Sequence, residues 1–261
     1  MAADVDRRDE LEKLVPPGLI VTRKWLMEHG LSRHALDNQI KSHQFTPIVP
    51  GVYARPQATL VWQNLVSSLT AVLPMGLHLG GLSALSVQGF SHYLELSGTQ
   101  SVHLYGEKTP PAWINHVLPV VEPKFHSTRR LWRDGAQAVL LKNVVDFVWR
   151  EDMPPMKVSS PEMAYLELLM DVSLSVSFEH ADELMQGLTQ LSPRKLQVLL
   201  AECKSIKVKR LFFWMADRHQ YTWRGRLDPG EFDLGESKRV IAKGGKLDKA
   251  YKITVPESMY G

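Results

Sequence analysis

The sequence has a single cysteine, Cys203, among 261 residues. One cysteine excludes an internal disulfide framework and is typical of a protein kept in a reducing cytosol. No apolar run is long enough to cross a bilayer, and the charged N-terminus (Asp4 to Glu10) does not resemble a signal peptide. The formal net charge is only +3, so any affinity for nucleic acid must come from local basic patches. We therefore expect a cytoplasmic protein.

The motifs of common enzyme classes are also missing. There is no Walker phosphate loop, and no His-Glu-x-x-His signature occurs among the ten scattered histidines. The run Gly81-Leu-Ser-Ala-Leu85 fails as a nucleophile elbow, because Leu85 stands where a second glycine is needed. We expect no catalytic residues, no metal site and no cofactor, and a binding protein rather than an enzyme.

One glycine pair leaves a different enzyme class to consider. Gly80-Gly81 follows a predicted strand and opens a predicted helix, a turn that can cradle a phosphate. It resembles the first motif of nucleotidyltransferases, which also need paired carboxylates on a following strand to hold metal ions. The next predicted strand, Ser101 to Tyr105, carries no acid. The alternative interpretation is a tight turn in which glycine allows close packing.

The segment from Thr22 to Arg55 is the most informative part of the chain. Thr22 and Ser32 are suitable N-caps for two short helices. Gly30, between them, can adopt the positive φ that ends the first helix. This pattern predicts a helix-turn-helix. The alternating apolar residues that follow, around Pro50-Gly51, predict a β-hairpin that would be the wing of a winged helix.

The second predicted helix has two distinct faces. Leu36 and Ile40 are four residues apart and predict a buried stripe. The opposite stripe is polar, and its side chains suit the major groove, since Arg and Lys donate to guanine or phosphate and Asn can bond adenine. We predict that Arg55, at the base of the wing, lies near the DNA backbone. The predicted DNA-binding residues are Ser32, Arg33, His34, Asn38, Lys41 and Arg55. A helix-turn-helix that only packs, with its polar stripe facing water, is the alternative.

The whole chain predicts an α+β fold. We expect a winged helix-turn-helix domain over residues 1–57 and a mixed α/β domain over 58–261, with a mixed sheet (77–158), a helical portion (159–218) and a terminal β-hairpin (232–256). A short helix is predicted from Asp4 to Val15. The strands predicted in the sheet are Leu77–Leu79, Ser101–Tyr105, Val117–Val121 and Val139–Leu141. Those of the hairpin are Lys238–Ile241 and Tyr251–Val255, around a Gly244-Gly245 turn.

The charge is unevenly distributed. From Lys204 to Lys252 the chain has thirteen basic and six acidic residues, whereas Pro56 to Cys203 has ten basic and fourteen acidic ones. The basic C-terminal segment predicts a patch that attracts nucleic acid or another anionic partner. Its predicted members are Lys207, Lys209, Arg210, Lys238 and Arg239. The alternative is a solvated face, with Arg210 paired to a nearby acid such as Asp217 or Glu236.

Several short motifs, taken in order, resemble one family. The chain is similar to the antitoxins of AbiE-type (abortive infection, type IV) bacterial toxin–antitoxin systems, over nearly its whole length. The motifs that carry the resemblance are Ser32-Arg-His-Ala-Leu-Asp37, Gly51-Val-Tyr53, Gly80-Gly-Leu-Ser-Ala-Leu85 with Gly89, His92-Tyr-Leu94, Ser159-Ser-Pro-Glu162, Val208-Lys-Arg-Leu-Phe212, Leu234-Gly-Glu-Ser-Lys-Arg239 and Tyr251-Lys-Ile-Thr-Val-Pro256.

The resemblance implies different functions for the N-terminal and C-terminal regions. The winged helix would bind inverted repeats in the operon's own promoter and repress it. The C-terminal region would supply the antitoxin activity against a cognate toxin similar to nucleotidyltransferases, as part of phage defence. In such systems the antitoxin is generally thought to act without a stable complex, so direct contact with the toxin stays open. The competing hypotheses are a general winged-helix regulator with an effector-binding domain, and a nucleotidyltransferase-like enzyme.

Overall fold

A computed structural model describes residues 13–56, 59–73, 76–90 and 100–260. The described residues belong to two compact units. The first comprises Met1–His78, Glu95–Phe125 and Asp146–Lys157, and the second Leu79–Leu94, His126–Val145 and Val158–Gly261. Most of the helix predicted from Asp4 to Val15, and the His92-Tyr-Leu94 motif, lie outside the described residues. Within the described ranges, every helix is too short or too polar to cross a membrane.

The first unit contains the predicted winged helix-turn-helix. Its three antiparallel strands have the order β1-β3-β2. The Oγ1 of Thr22 accepts from the N–H of Trp25, and the Oγ of Ser32 from that of Ala35, both at 3.1 Å. Gly30 has φ of +90°. These contacts confirm the predicted caps and turn. The elements are β1 (Val21–Thr22), α1 (Arg23–Glu28), α2 (Arg33–Lys41), β2 (Thr46–Val49) and β3 (Val52–Ala54).

The core under the winged helix includes residues from later in the chain. Val72, from α3 (Trp62–Val72), and Met153 belong to the same buried cluster as Leu26 and Leu36. The position of α3 is also fixed by polar contacts: the N–H of Ile20 donates to Ser68 Oγ at 2.8 Å. The compact unit therefore continues beyond residue 57, where we expect the domain boundary, and that boundary stays a prediction.

A five-stranded sheet has the order β6-β5-β4-β8-β7. Leu79 lies opposite Val158 where β4 and β8 pair in parallel. The strands predicted at Leu77 and Ser101 are confirmed, but those predicted at Val117–Val121 and Val139–Leu141 are wrong. The first segment contains the end of α5 (Ile114–Val117) and only the start of β6, and the second lies in α6 (Gln137–Lys142). Short apolar runs do not distinguish a strand from a helix. The strands are β4 (His78–Leu79), β5 (Gln100–Gly106), β6 (Val121–Ser127), β7 (Val144–Phe147) and β8 (Met156–Ser159).

One buried helix organises the second unit. α7 (Pro161–Leu169) is buried at every position after its first residue and contacts four neighbouring helices. A helix that is largely apolar all round is expected at the centre of such a bundle. Its start confirms the predicted Ser160 cap followed by Pro161. Its neighbours are α4 (Gly81–Val87), α8 (Phe178–Gly187), α9 (Pro193–Glu202) and α10 (Ile206–Asp217).

The second unit ends in the expected β-hairpin, whose second strand lies within the predicted Tyr251–Val255 and whose first strand differs from the prediction. β9 (Lys246–Asp248) pairs antiparallel with β10 (Ile253–Val255). The strand predicted at Lys238–Ile241 is wrong, since that segment makes only an isolated parallel bridge from Arg239 to Ile253. Gly245 precedes β9, and a Cβ on it would lie 2.1 Å from the carbonyl oxygen of Val255. Only glycine fits this close approach of two backbone segments.

Candidate functional site

The polar face of α2 is exposed along its whole length. Arg33, His34, Asn38 and Lys41 are all solvent-exposed. Leu36, on the opposite face, is completely buried. These positions fall on one side of a helix with 3.6 residues per turn, so the four side chains share one surface. Ser32, also exposed, holds the first turn through its capping bond.

The wing is attached to the start of α1. The N–H of Arg23 donates to the carbonyl of Gly51, at the tip of the hairpin, at 2.9 Å. The Arg23 guanidinium donates to the hydroxyl of Tyr53 at 3.0 Å, and this hydrogen bond raises the pKa of Arg23. Because both contacts join the wing to the helix-turn-helix, the hairpin is held in place before any ligand binds.

Arg55 does not lie on the surface. Its side chain is 6% exposed, and its Nε donates to the carbonyl of Val15 at 2.6 Å. The guanidinium also lies over the ring of Phe45, 6.0 Å from its centroid. The prediction that Arg55 contacts the DNA backbone is therefore wrong. Its role is to tie the end of the wing to the core of the first unit.

Two members of the predicted basic patch are buried. Lys209 and Arg210 are each 1% exposed, so the prediction that they belong to a surface patch is wrong. Arg210 donates at 2.5–3.1 Å to backbone carbonyls rather than pairing with the acids suggested for it. Burial lowers the pKa of both side chains. The carbonyls bound by Arg210 belong to Leu234, Gly235, Ser237 and Lys252.

The other three members remain accessible. Lys238 and Arg239 are exposed. Lys207 is partly buried and donates to the carbonyls of Met170, at 2.9 Å, and Val172, at 2.7 Å, just past the end of α7. Burial lowers the pKa of Lys207, and the positive charges of Arg130 and Arg239 lower it further, against the opposing effect of Asp171.

Arg130 is a basic residue of this surface that the sequence reasoning missed. It is exposed and close enough to Lys207 to influence its pKa. A backbone contact beside it explains its position, because the backbone N–H of Lys204 donates to the carbonyl of Leu131 at 2.9 Å. No local sequence signal relates these two distant segments. We call Arg130, Lys207, Lys238 and Arg239 the basic surface.

The Gly80-Gly81 turn is closed by an acidic side chain of its own unit. The N–H of Gly81 donates to a carboxylate oxygen of Glu167 at 3.0 Å, and Ser159 Oγ donates to the same oxygen at 2.9 Å. Glu167 is completely buried in α7. A carboxylate of the chain thus occupies the place that a phosphate would need, and the geometry favours the packing interpretation of this turn.

Comparison with known proteins identifies a family for this chain. A model described as "Transcriptional regulator, AbiEi antitoxin, Type IV TA system" matches residues 99–256, and one described as "Transcriptional regulator, AbiEi antitoxin N-terminal domain" matches residues 7–96. No curated protein matches the chain significantly. The crystal structure of the RV2827C protein from Mycobacterium tuberculosis is 16% identical, with a TM-score of 0.57, over 95% of this chain and 89% of that one. This likeness concerns the fold alone. The two family models together cover nearly the whole sequence, and the chain therefore belongs to the AbiEi family of antitoxins and transcriptional regulators of type IV toxin–antitoxin systems.

Proposed function

We propose that the chain is an antitoxin that also represses the promoter of its own toxin–antitoxin operon. The observation that carries the proposal is the exposed polar face of α2 beside a wing tied to α1. Family membership supports the proposed repressor function, because the matching models describe transcriptional regulators.

In this proposal α2 enters the major groove. Asn38 bonds an adenine edge, Arg33 donates to guanine or phosphate, and Lys41 donates to phosphate. The exposed N-terminus at Ser32 favours a phosphate through the helix dipole. Two copies of the chain would bind the two halves of an inverted repeat, because a palindromic site matches a two-fold pair of recognition helices.

The second unit supplies the antitoxin activity. The basic surface attracts an anionic partner by long-range electrostatic steering. Nucleotide transfer is disfavoured, because Glu167 occupies the Gly81 turn. The groove beside Phe232 and Tyr251 is open and carries Asp233 and Glu236, so this groove is not the enclosed apolar pocket that a small effector would need.

The proposed binding to the promoter is tested by mobility-shift titration of promoter DNA from the operon. Asn38→Ala should cost about 1–3 kcal/mol at the operator and less on unrelated DNA. Lys41→Ala should weaken binding evenly across sequences and reduce the salt slope by about 1. Lys249→Ala, at an exposed lysine of the terminal hairpin, is the matched control. Wild-type affinity in both α2 variants would refute the assignment of α2 as the recognition helix.

The proposed antitoxin activity is tested by co-expression with the toxin, with growth as the readout. The charge reversal Lys207→Glu, Lys238→Glu and Arg239→Glu should abolish protection. A cooperative melt and retained promoter binding would show that the loss is not a folding defect. Full protection by a stable triple variant would place the antitoxin activity elsewhere in the chain.

A further inference from the structure

His43, which follows the C-terminal end of α2, has an unusual backbone conformation. Its φ is +56°, in the left-handed region. Among the non-glycine residues that the structure describes, only Ser173 and Lys252 also have a positive φ. Glycine adopts this conformation at no steric cost, whereas a Cβ makes it unfavourable. Histidine tolerates it better than most residues do, but glycine would tolerate it better still.

The conformation of His43 ends α2 through backbone hydrogen bonds. The N–H of Gln44 donates to the carbonyl of Gln39 at 2.8 Å, and the N–H of His43 donates to that of Ile40 at 3.1 Å. These two bonds form a Schellman motif, in which the left-handed position is usually glycine. The motif uses only the backbone of His43, so glycine would form it equally well. The end of the helix therefore explains the conformation of this residue but not its side chain.

The imidazole of His43 has no structural contact that would explain it. The side chain is exposed, and within the described ranges it makes no hydrogen bond or ion pair. Non-glycine residues in strained conformations are concentrated at binding sites, where the surrounding structure holds them in place. A polar ring without a contact, at a position that favours glycine, indicates a contact with a ligand.

The position of His43 on the chain indicates which ligand. Lys41, in the last turn of α2, is exposed, and the two residues from Lys41 to His43 span at most about 7 Å. In homeodomains, the C-terminal end of the helix that reads the major groove contacts the DNA backbone. The last carbonyls of a helix carry partial negative charge and repel phosphate, so a backbone contact at this end needs donor side chains.

We propose that the imidazole of His43 donates a hydrogen bond to a phosphate of the operator, on the strand that Lys41 contacts. This inference rests on the proposed binding to the promoter, and it adds a residue beyond the polar face of α2. Since a phosphate carries no sequence information, His43 contributes to affinity for any duplex and not to the choice of sequence.

The test combines mobility-shift titration with thermal melting of the full chain. The probes are promoter DNA of the operon and an unrelated duplex of equal length. His43→Gly should weaken binding to both duplexes by about tenfold, because a donor to a charged phosphate is lost. The melting temperature should not fall, because glycine fits the left-handed conformation without strain. His43→Arg should bind at least as tightly as wild type, because a guanidinium also donates to phosphate.

Lys252→Gly is the matched control. Lys252 is exposed in the second unit with φ of +53°, so the change removes a side chain from the same backbone conformation. It also removes a full positive charge, so it reports any loss of affinity that long-range electrostatics alone would cause. Both duplexes should bind this variant as they bind wild type.

Three results would overturn the inference. One is wild-type affinity of His43→Gly for both duplexes. Another is a loss of affinity for the promoter alone, which would mean that His43 contacts a base. The third is a lower melting temperature of His43→Gly, which would give the histidine a structural role. Failure of the wild-type chain to bind promoter DNA would refute the proposed function. Weakened binding by Lys41→Ala with normal binding by His43→Gly would refute this inference alone.

Discussion

The carboxylate of Glu167 accepts hydrogen bonds from the backbone N–H of Gly81, at 3.0 Å, and from Ser159 Oγ, at 2.9 Å. The bond to Gly81 satisfies the first N–H of α4, which would otherwise be unpaired at a buried helix start. Gly81 itself has φ of +51°, which favours glycine at this position. The glycine motif therefore positions α4 against α7. It resembles a phosphate-binding turn in sequence, but Glu167 occupies the position where a phosphate would bind.

Removal of this carboxylate should destabilise the second unit. Glu167→Ala leaves two buried donors without this acceptor and creates a cavity, so we expect the free energy of unfolding to fall by about 2–5 kcal/mol. Glu167→Gln keeps the volume and one acceptor oxygen and should lose less. Urea denaturation measures both, with Glu183→Gln on the exposed face of α8 as a control that changes stability by less than about 0.5 kcal/mol. A Glu167→Ala protein as stable as wild type would contradict this role.

Arg210 should be a structural residue rather than part of a binding surface. Its planar guanidinium donates to carbonyls in two separate chain segments, a geometry that a lysine ammonium cannot reproduce. We expect Arg210→Lys to lower the free energy of unfolding by about 2–4 kcal/mol. The same change at exposed Arg239 should stay within about 0.5 kcal/mol. Equal stability of the two variants in urea denaturation would show that the carbonyl contacts of Arg210 are unimportant.

The winged helix could be predicted because its signals are local. Thr22, Gly30 and Ser32 each act on backbone groups within a few residues, so their side chains are sufficient to locate the helix ends. The positions of the arginines could not be predicted in this way. Arg55 is buried by a contact with Val15, and Arg210 by contacts with the segment around Leu234, and both depend on how distant segments pack. A basic residue that is surface-exposed and one that is bonded to carbonyls have the same local sequence signal.

The close approach at Gly245 gives a prediction for the terminal hairpin. A Cβ there would lie 2.1 Å from the Val255 oxygen and 2.8 Å from its carbonyl carbon, so one backbone segment must move. We expect Gly245→Ala to lower the melting temperature, with a loss of about 1–3 kcal/mol. Gly225→Ala is the control, because no atom lies within 4 Å of the position its Cβ would take. Similar melting temperatures for the two variants would show that the hairpin adjusts at no cost.

Cys203 gives a prediction for alkaline pH. Its side chain is completely buried, and this burial raises the pKa of the thiol from 9.0 to about 11. Between these two pH values the unfolded chain releases the proton while the folded chain keeps it. Deprotonation therefore favours the unfolded state, and the free energy of unfolding falls as pH rises. A shift of this size corresponds to about 2–3 kcal/mol.

The contribution of Cys203 can be isolated by comparison with Cys203→Ala. Burial raises the pKa of Tyr251 to about 12, which adds a similar loss at higher pH, whereas the lowered pKa values of Lys207 and Lys209 act in the opposite direction. The contributions of Tyr251 and Lys207 are common to both proteins and cancel in the difference, whereas that of Lys209 cancels only in part, because the charge of the Cys203 thiolate raises the pKa of Lys209. The difference in free energy of unfolding between wild type and Cys203→Ala should therefore shrink as pH rises from 9.0 towards 11. A constant difference over this range, or rapid reaction of the folded thiol with a disulfide reagent at neutral pH, would show that Cys203 is not held as a buried neutral thiol.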